Sequence, residues 1–307
     1  MMKTTKPKFD VYAKITDRIL ADLKRGVKPW LQPWNASSTV GLIRRPLRHN
    51  REPYSGINVV LLWSEASERG YASPIWMTVR QANQLGGHVR KGERGTTVVY
   101  ANRVAKVEQD EDGEEVERQI PFLRAYTVFC VDQIEDLPED YYGRSARVID
   151  PATRIEHADA FFSATGATIR HGGNAAYYMP ASDHIQMPPF TSFRDPESYY
   201  ATLAHETVHW TAPPHRANRD ASRYAKDESE RAREELVAEL GSCFLCADLA
   251  IVPELEPRPD HARYVASWIK VLANDKKAIV TAASLAQRAV SFLHSRQPSA
   301  ADIPEAA

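Results

Sequence analysis

The segment His205-Glu206-Thr207-Val208-His209 constrains this chain more than any other stretch of it. It spells HExxH, and its two imidazoles meet at one point only if the backbone is helical, because residues i and i+4 then share a face. Asp195 followed by Pro196 supplies a capping residue and a proline at the first helical position, so the pattern predicts a helix running from there through the motif. Both ring nitrogens can then lie about 2.0–2.1 Å from a single zinc-type ion. Glu206, roughly 100° around the helix from His205, faces a water in the ion's open position as a general base. Two surface histidines on an ordinary helix are the plainer alternative, and the apolar neighbours Leu203 and Val208 argue against it.

A catalytic zinc takes three protein ligands. Glu235, in the later segment REELVAEL, is the preferred third ligand, with Glu239 one turn on as its support. Glu234 and His215 are the rivals. His215 reproduces the spacing of HExxHxxGxxH, but Ala212 stands where that motif has its turning glycine, and Pro213-Pro214 stiffen the segment. Tyr224 and Tyr199 are open as donors to a developing oxyanion. A strand at His184–Met187 is expected before the helix, where an edge strand would hold an extended peptide.

The rest of the chain reads as an α+β protein of two domains. A basic single-stranded-DNA-binding domain is expected at 1–135, a linker at 136–155 and an HExxH metallopeptidase domain at 156–307. Charge divides the same way. Residues 1–107 hold 19 Lys and Arg against 7 Asp and Glu, leaving 20 against 33 downstream, so the first part is suited to a polyanion. Helices are expected at Val11–Arg25, Ile57–Arg69 and Thr78–Leu85, then strands at Thr96–Val104 and Phe122–Val131 around the acidic turn 108–117. After the linker come a helix near Ile155–Thr165, a strand at 167–171, a hairpin through Pro180–Asp183, and helices near 231–250, 259–273 and 276–295. The three cysteines are too few for a disulfide framework, and Cys243 and Cys246 fall one helical turn apart in an apolar pattern, as core residues. Neither a secretory leader nor a membrane-spanning run is expected, which points to the cytoplasm.

Single strands are held where cations flank aromatic faces on which bases stack. Trp30, Trp34, Arg44, Arg45, Arg48, Arg51 and Tyr54, in a proline-broken loop, together with Arg90, Lys91 and Arg94, form the candidate surface. Trp63 and Trp76 lie in apolar contexts and are read as core.

The segments ITDRILADLKRGVKPWLQPW, GINVVLLW, GGHVRKGERGTTVVY and YTVFCVDQIEDLP, followed by AHETVHW and REELVAELGSCFLC, resemble the ArdC antirestriction proteins of conjugative plasmids. The amino-terminal part is also similar to TraC-type plasmid primases. The resemblance implies a single-strand-binding domain, a gluzincin-like metallopeptidase domain, and protection of incoming plasmid DNA from restriction in the recipient cell. It implies His205, Glu206, His209 and Glu235 as the metal and catalytic set, with Zn2+, or Mn2+ or another divalent ion, as cofactor. Single-stranded DNA and a host restriction component, or another protein substrate, are the implied partners, and no membrane. Where the family motif reads TG after HExxHW, this chain has Thr211-Ala212, which questions the loop conformation there. The contrasting reading is a non-catalytic single-strand-binding protein with a structural or vestigial metal site. A DNA mimic ranks last, because the basic first half opposes mimicry.

Overall fold

The computed structural model describes residues 10–31, 44–109, 115–142, 151–220, 222–224, 226–252 and 261–298, and the side chains of 101–122 are outside that description. Helix α1 (Val11–Lys24) starts where the Asp10 carboxylate accepts from the amides of Tyr12 and Ala13, capping it as short acidic residues do. Strand β1 (Leu47–Arg48) follows, then α2 (Ile57–Arg69), which ends on Gly70 in the left-handed conformation. Strand β2 (Ile75–Met77) leads to α3 (Val79–Gln84), closed at its start by a reciprocal Thr78–Gln81 capping box. Next come β3 (His88–Val89), the long β4 (Thr96–Gln109) and β5 (Glu115–Cys130), and β6 (Ile134–Glu135). One sheet runs in the order β1-β2-β5-β4, and β3 pairs with β6. The hairpin strands are longer than the apolar pattern predicts, because pairing continues outward past the buried residues toward the acidic tip.

The second domain contains α4 (Pro151–Ala164), β7 (Thr168–His171), β8 (Tyr177–Met179), β9 (His184–Met187), α5 (Pro196–Trp210), α6 (Glu228–Leu249), α7 (His261–Asn274) and α8 (Ala278–Ser295). Helix α4 opens at Pro151, four residues ahead of the expected start. In the small sheet β9 lies between β7, parallel to it, and β8, antiparallel to it. The expectation that His184–Met187 forms an edge is therefore corrected: β9 is central, β7 and β8 are the edge strands, and both β8 and β9 pack on α5.

A single apolar cluster crosses both domains. It takes Ile15 and Ile19 from α1 and Val60 and Leu62 from α2, together with Val208, Phe244, Trp268 and Ala283 from the carboxy-terminal helices. Cys243 and Cys246 are buried and free within it. Gly241 lets α6 approach α5 closely, since a Cβ there would come within 2.8 Å of Val208 Cγ2. That approach brings the acidic turn of α6 under the HExxH turn of α5. Among the described residues no helix is long and apolar enough to cross a membrane.

Candidate metal centre

The Asp195 carboxylate accepts from the Ser198 amide and Pro196 holds the first turn, so α5 starts where the sequence expects. His205, Glu206 and Glu235 are buried. One ligand atom each from His205, His209 and Glu235 lies within 4.8 Å of the others. His205 Nε2 is 3.4 Å from one oxygen of Glu235, and His209 Nε2 is 3.5 Å from the other. Ligands about 2.1 Å from a tetrahedral centre are separated by about 3.4 Å, so the spacing fits a divalent ion, and two imidazoles with one carboxylate are a donor set such ions accept.

A second layer of hydrogen bonds holds this set. His209 Nδ1 lies 3.3 Å from Glu234 Oε1, leaving Nε2 for the ligand position, which is how a carboxylate fixes a ligating histidine. Glu234 accepts two hydrogen bonds from Arg219, at 2.8 and 3.2 Å. The same guanidinium donates to Thr211 Oγ1 and to the Val208 carbonyl, which also accepts from the Thr211 amide at 3.1 Å as α5 ends. Burial pulls the His209 imidazole down, but hydrogen bonds to Glu234 and Glu235 outweigh it and lift the pKa to about 10. Burial pushes Glu235 up, yet hydrogen bonds to His205 and His209 hold its carboxyl well below the usual range. A divalent cation held here would take the place of the imidazolium proton, because a ligating imidazole is neutral.

Tyr224 donates a hydrogen bond to Glu235 and sets its ring edge-on to His209, with centroids 6.0 Å apart. Burial and the neighbouring Glu235 raise its hydroxyl pKa, so it stays a proton donor. Tyr199 is directed elsewhere, to His171 Nε2 at 2.9 Å. His215 is exposed, whereas His209 and Glu235 are enclosed. Glu239, expected to support Glu235, accepts from Lys28 Nζ and Trp30 Nε1, both at 3.4 Å. Glu234 and Arg219 support His209 instead. Ala212 is buried and absent from the left-handed residues, so the loop after α5 forms without a glycine there.

The chain belongs to the ArdC antirestriction family. Residues 9–129 match the N-terminal domain of anti-restriction factor ArdC, and residues 156–285 match the zincin-like metallopeptidase family MPTase-PolyVal. The metal-free crystal structure of antirestriction protein ArdC from plasmid R388 is 45% identical, covers 94% of this chain and 98% of its own, and superposes with a TM-score of 0.78. Its Mn(II)-bound counterpart is 43% identical with the same coverage and a TM-score of 0.74. Protein y4eC of Sinorhizobium fredii is 41% identical over 97% of this chain and 96% of its own length. DNA primase TraC of Escherichia coli is 34% identical over 92% of this chain, which spans 27% of that protein. The likeness to TraC therefore extends over both domains of this ArdC relative rather than the amino-terminal part alone.

The proposed nucleic-acid residues separate on burial. Trp30 is fully enclosed, packed edge-on to Trp268 at 6.0 Å, and has no face for a base. Tyr54 is 4% exposed. Arg45 is buried, forms a two-pronged pair with Asp248 at 2.8 and 3.0 Å, and lies 4.4 Å over the Phe244 ring. Trp30 and Arg45 hold the two domains together, whereas Tyr54 is bonded to Tyr126 within the first, and the polar groups of all three are already committed. Arg44 is half-buried, with its carbonyl accepting from Trp63 Nε1. Arg51 binds Asp140, and Arg90 binds Glu93 and the Asp132 carbonyl. Arg48, Lys91 and Arg94 are exposed. Trp34 lies outside the described residues.

Proposed function

We propose that this ArdC-family protein binds single-stranded DNA and carries a metal-dependent peptide-hydrolysis site, and that it protects incoming plasmid DNA in the recipient cytoplasm. The observation that carries the reading is the buried convergence of His205, His209 and Glu235 beside Glu206. A divalent ion held by those three supplies Lewis acidity toward a carbonyl oxygen and acidifies water. Zinc suits the donor set, and manganese occupies the R388 relative. Glu206 accepts the proton of the attacking water and returns it to the leaving amine. Tyr224 is the proposed donor to the oxyanion, and to act there its one hydroxyl proton turns from Glu235 to that oxygen. The free edge of β8, packed on α5, offers an extended peptide backbone hydrogen bonds. A restriction component of the recipient cell is the proposed protein substrate.

Glu206→Gln tests the reading. Metal content and oligonucleotide affinity stay as in the wild type, while protection in a mating assay is lost. Protection that persists in this variant assigns the function to a non-catalytic single-strand-binding protein whose metal is structural.

A further inference from the structure

The β4–β5 pairing creates a surface that the order of residues along the chain conceals. Tyr100 pairs directly with Arg124, and Val98 with Tyr126. Residues two apart on a strand share a face, so Tyr100, Arg124, Tyr126 and Val98 all point to one side. Val98 is fully buried in the core, Tyr126 is half-buried at its rim, and Tyr100 and Arg124 lie beyond it, with Tyr100 52% exposed. The same face therefore changes from core to open surface along the hairpin.

At the core end of this rim Tyr126 is hydrogen-bonded to Tyr54, and Arg48 stands over the Tyr54 ring at 5.5 Å with nearly half its side chain exposed. Arg48 pairs with Trp76 across β1–β2, which places it on the same side of the sheet as Tyr126. The platform is stiff. The Asn58 side chain accepts from the Val99 amide at 2.8 Å and donates to its carbonyl at 2.7 Å, tying α2 to β4 next to Tyr100.

We propose that Arg48, Tyr126, Arg124 and Tyr100 form the track on which single-stranded nucleic acid lies, a statement that rests on the single-strand binding proposed above. Tyr100 offers a base an exposed π-face, and the guanidiniums at the two ends of the rim meet phosphates on either side. Arg48 has a solvent-exposed pair with Glu52 at 3.5 Å, and a phosphate chain adds anionic oxygens to both guanidiniums, which an apolar peptide does not bring. A duplex keeps its bases stacked inside and cannot use the tyrosine face.

The test uses the full chain and two fluorescently labelled probes of equal length, oligodeoxythymidylate and an abasic oligomer. Tyr100→Ala is expected to weaken oligodeoxythymidylate binding about 5- to 100-fold, with little change for the abasic probe, and Tyr100→Phe restores it. Arg124→Gln weakens both probes and lowers the salt slope of log K by about 0.7. Both residues are exposed, and unchanged thermal unfolding verifies the fold of each variant. Wild-type binding that both variants retain overturns the track and leaves single-strand binding standing on another surface. No binding by the wild type overturns the track and the reading beneath it together.

Discussion

Charged groups are held in opposite ways at the metal centre and on the β4–β5 face. Around α5 and α6 two histidines, two glutamates and Arg219 are enclosed and mutually hydrogen-bonded, so each group fixes the next. On the sheet face Arg48 of β1 and Arg124 of β5 are exposed at the border of the core, and the contacts of Arg48 with Glu52 and the Tyr54 ring are open to solvent. A buried polar network fails when one member is removed, because its partner is left desolvated. An exposed track weakens one contact at a time. The contrast assigns all-or-none behaviour to the first site and graded, salt-dependent behaviour to the second.

The sharpest break is at the ligands. His205→Ala or Glu235→Ala should lose stoichiometric metal on elemental analysis, a larger effect than the roughly 10–100-fold that an outer hydrogen-bond partner commands. Glu234→Ala is expected to show that lesser loss in metal titration. It should also show a drop of about 3–5 kcal/mol in unfolding free energy, because Arg219 is left as an unpaired buried charge. Trp30→Ala, in the core, should cost about 3–5 kcal/mol on denaturant unfolding while folded protein keeps its oligonucleotide affinity. A selective affinity loss there would return Trp30 to the binding surface.

Acid supplies a further discrimination. Burial pushes the Asp248 carboxyl up, but the His294 hydrogen bond and Arg45 outweigh it and hold the pKa below its ordinary value. A depressed carboxylate stabilises the fold above its unfolded value of about 3.9, and that contribution disappears as pH falls through the lower folded value. Asp248→Asn should therefore flatten the acid limb of the stability curve below about pH 4. The smallest effect belongs to Lys91→Ala. If exposed Lys91 meets one phosphate, the salt slope falls by about 0.7 with thermal stability unchanged.

How far each site could be read in the sequence follows from how far apart its parts lie along the chain. The HExxH residues share one helix whose cap is written beside it, so their common face follows from local spacing alone. Glu235 needed a second helix, and the acidic REELVAEL segment pointed to it among rivals before the resemblance to ArdC proteins repeated the choice. Arg219 escaped, and Glu234 was read as a rival ligand rather than as the partner of His209, because their meeting depends on how the loop after α5 folds back, for which the sequence carries no local period. Trp30 was misread for a related reason. A tryptophan between lysines and prolines looks the same whether it faces a base or, as here, Trp268 from the far end of the chain. The Tyr100–Arg124 pair depends on hairpin register, and one residue of slip would turn those side chains to the opposite face.

Lys28 and Trp30 grip Glu239 one turn beyond Glu235, and Arg45 grips Asp248 two turns further along the same helix. Helix α6 thus serves as a shared spine, and an amino-terminal fragment ending near residue 135 would carry a bare indole and an orphaned guanidinium where that spine had been. Such a fragment is a poor cassette for grafting, whereas the intact pair is a transferable unit. The TraC primases match this chain over 92% of its length, both domains included, and so retain the pair as one piece inside a much longer polypeptide.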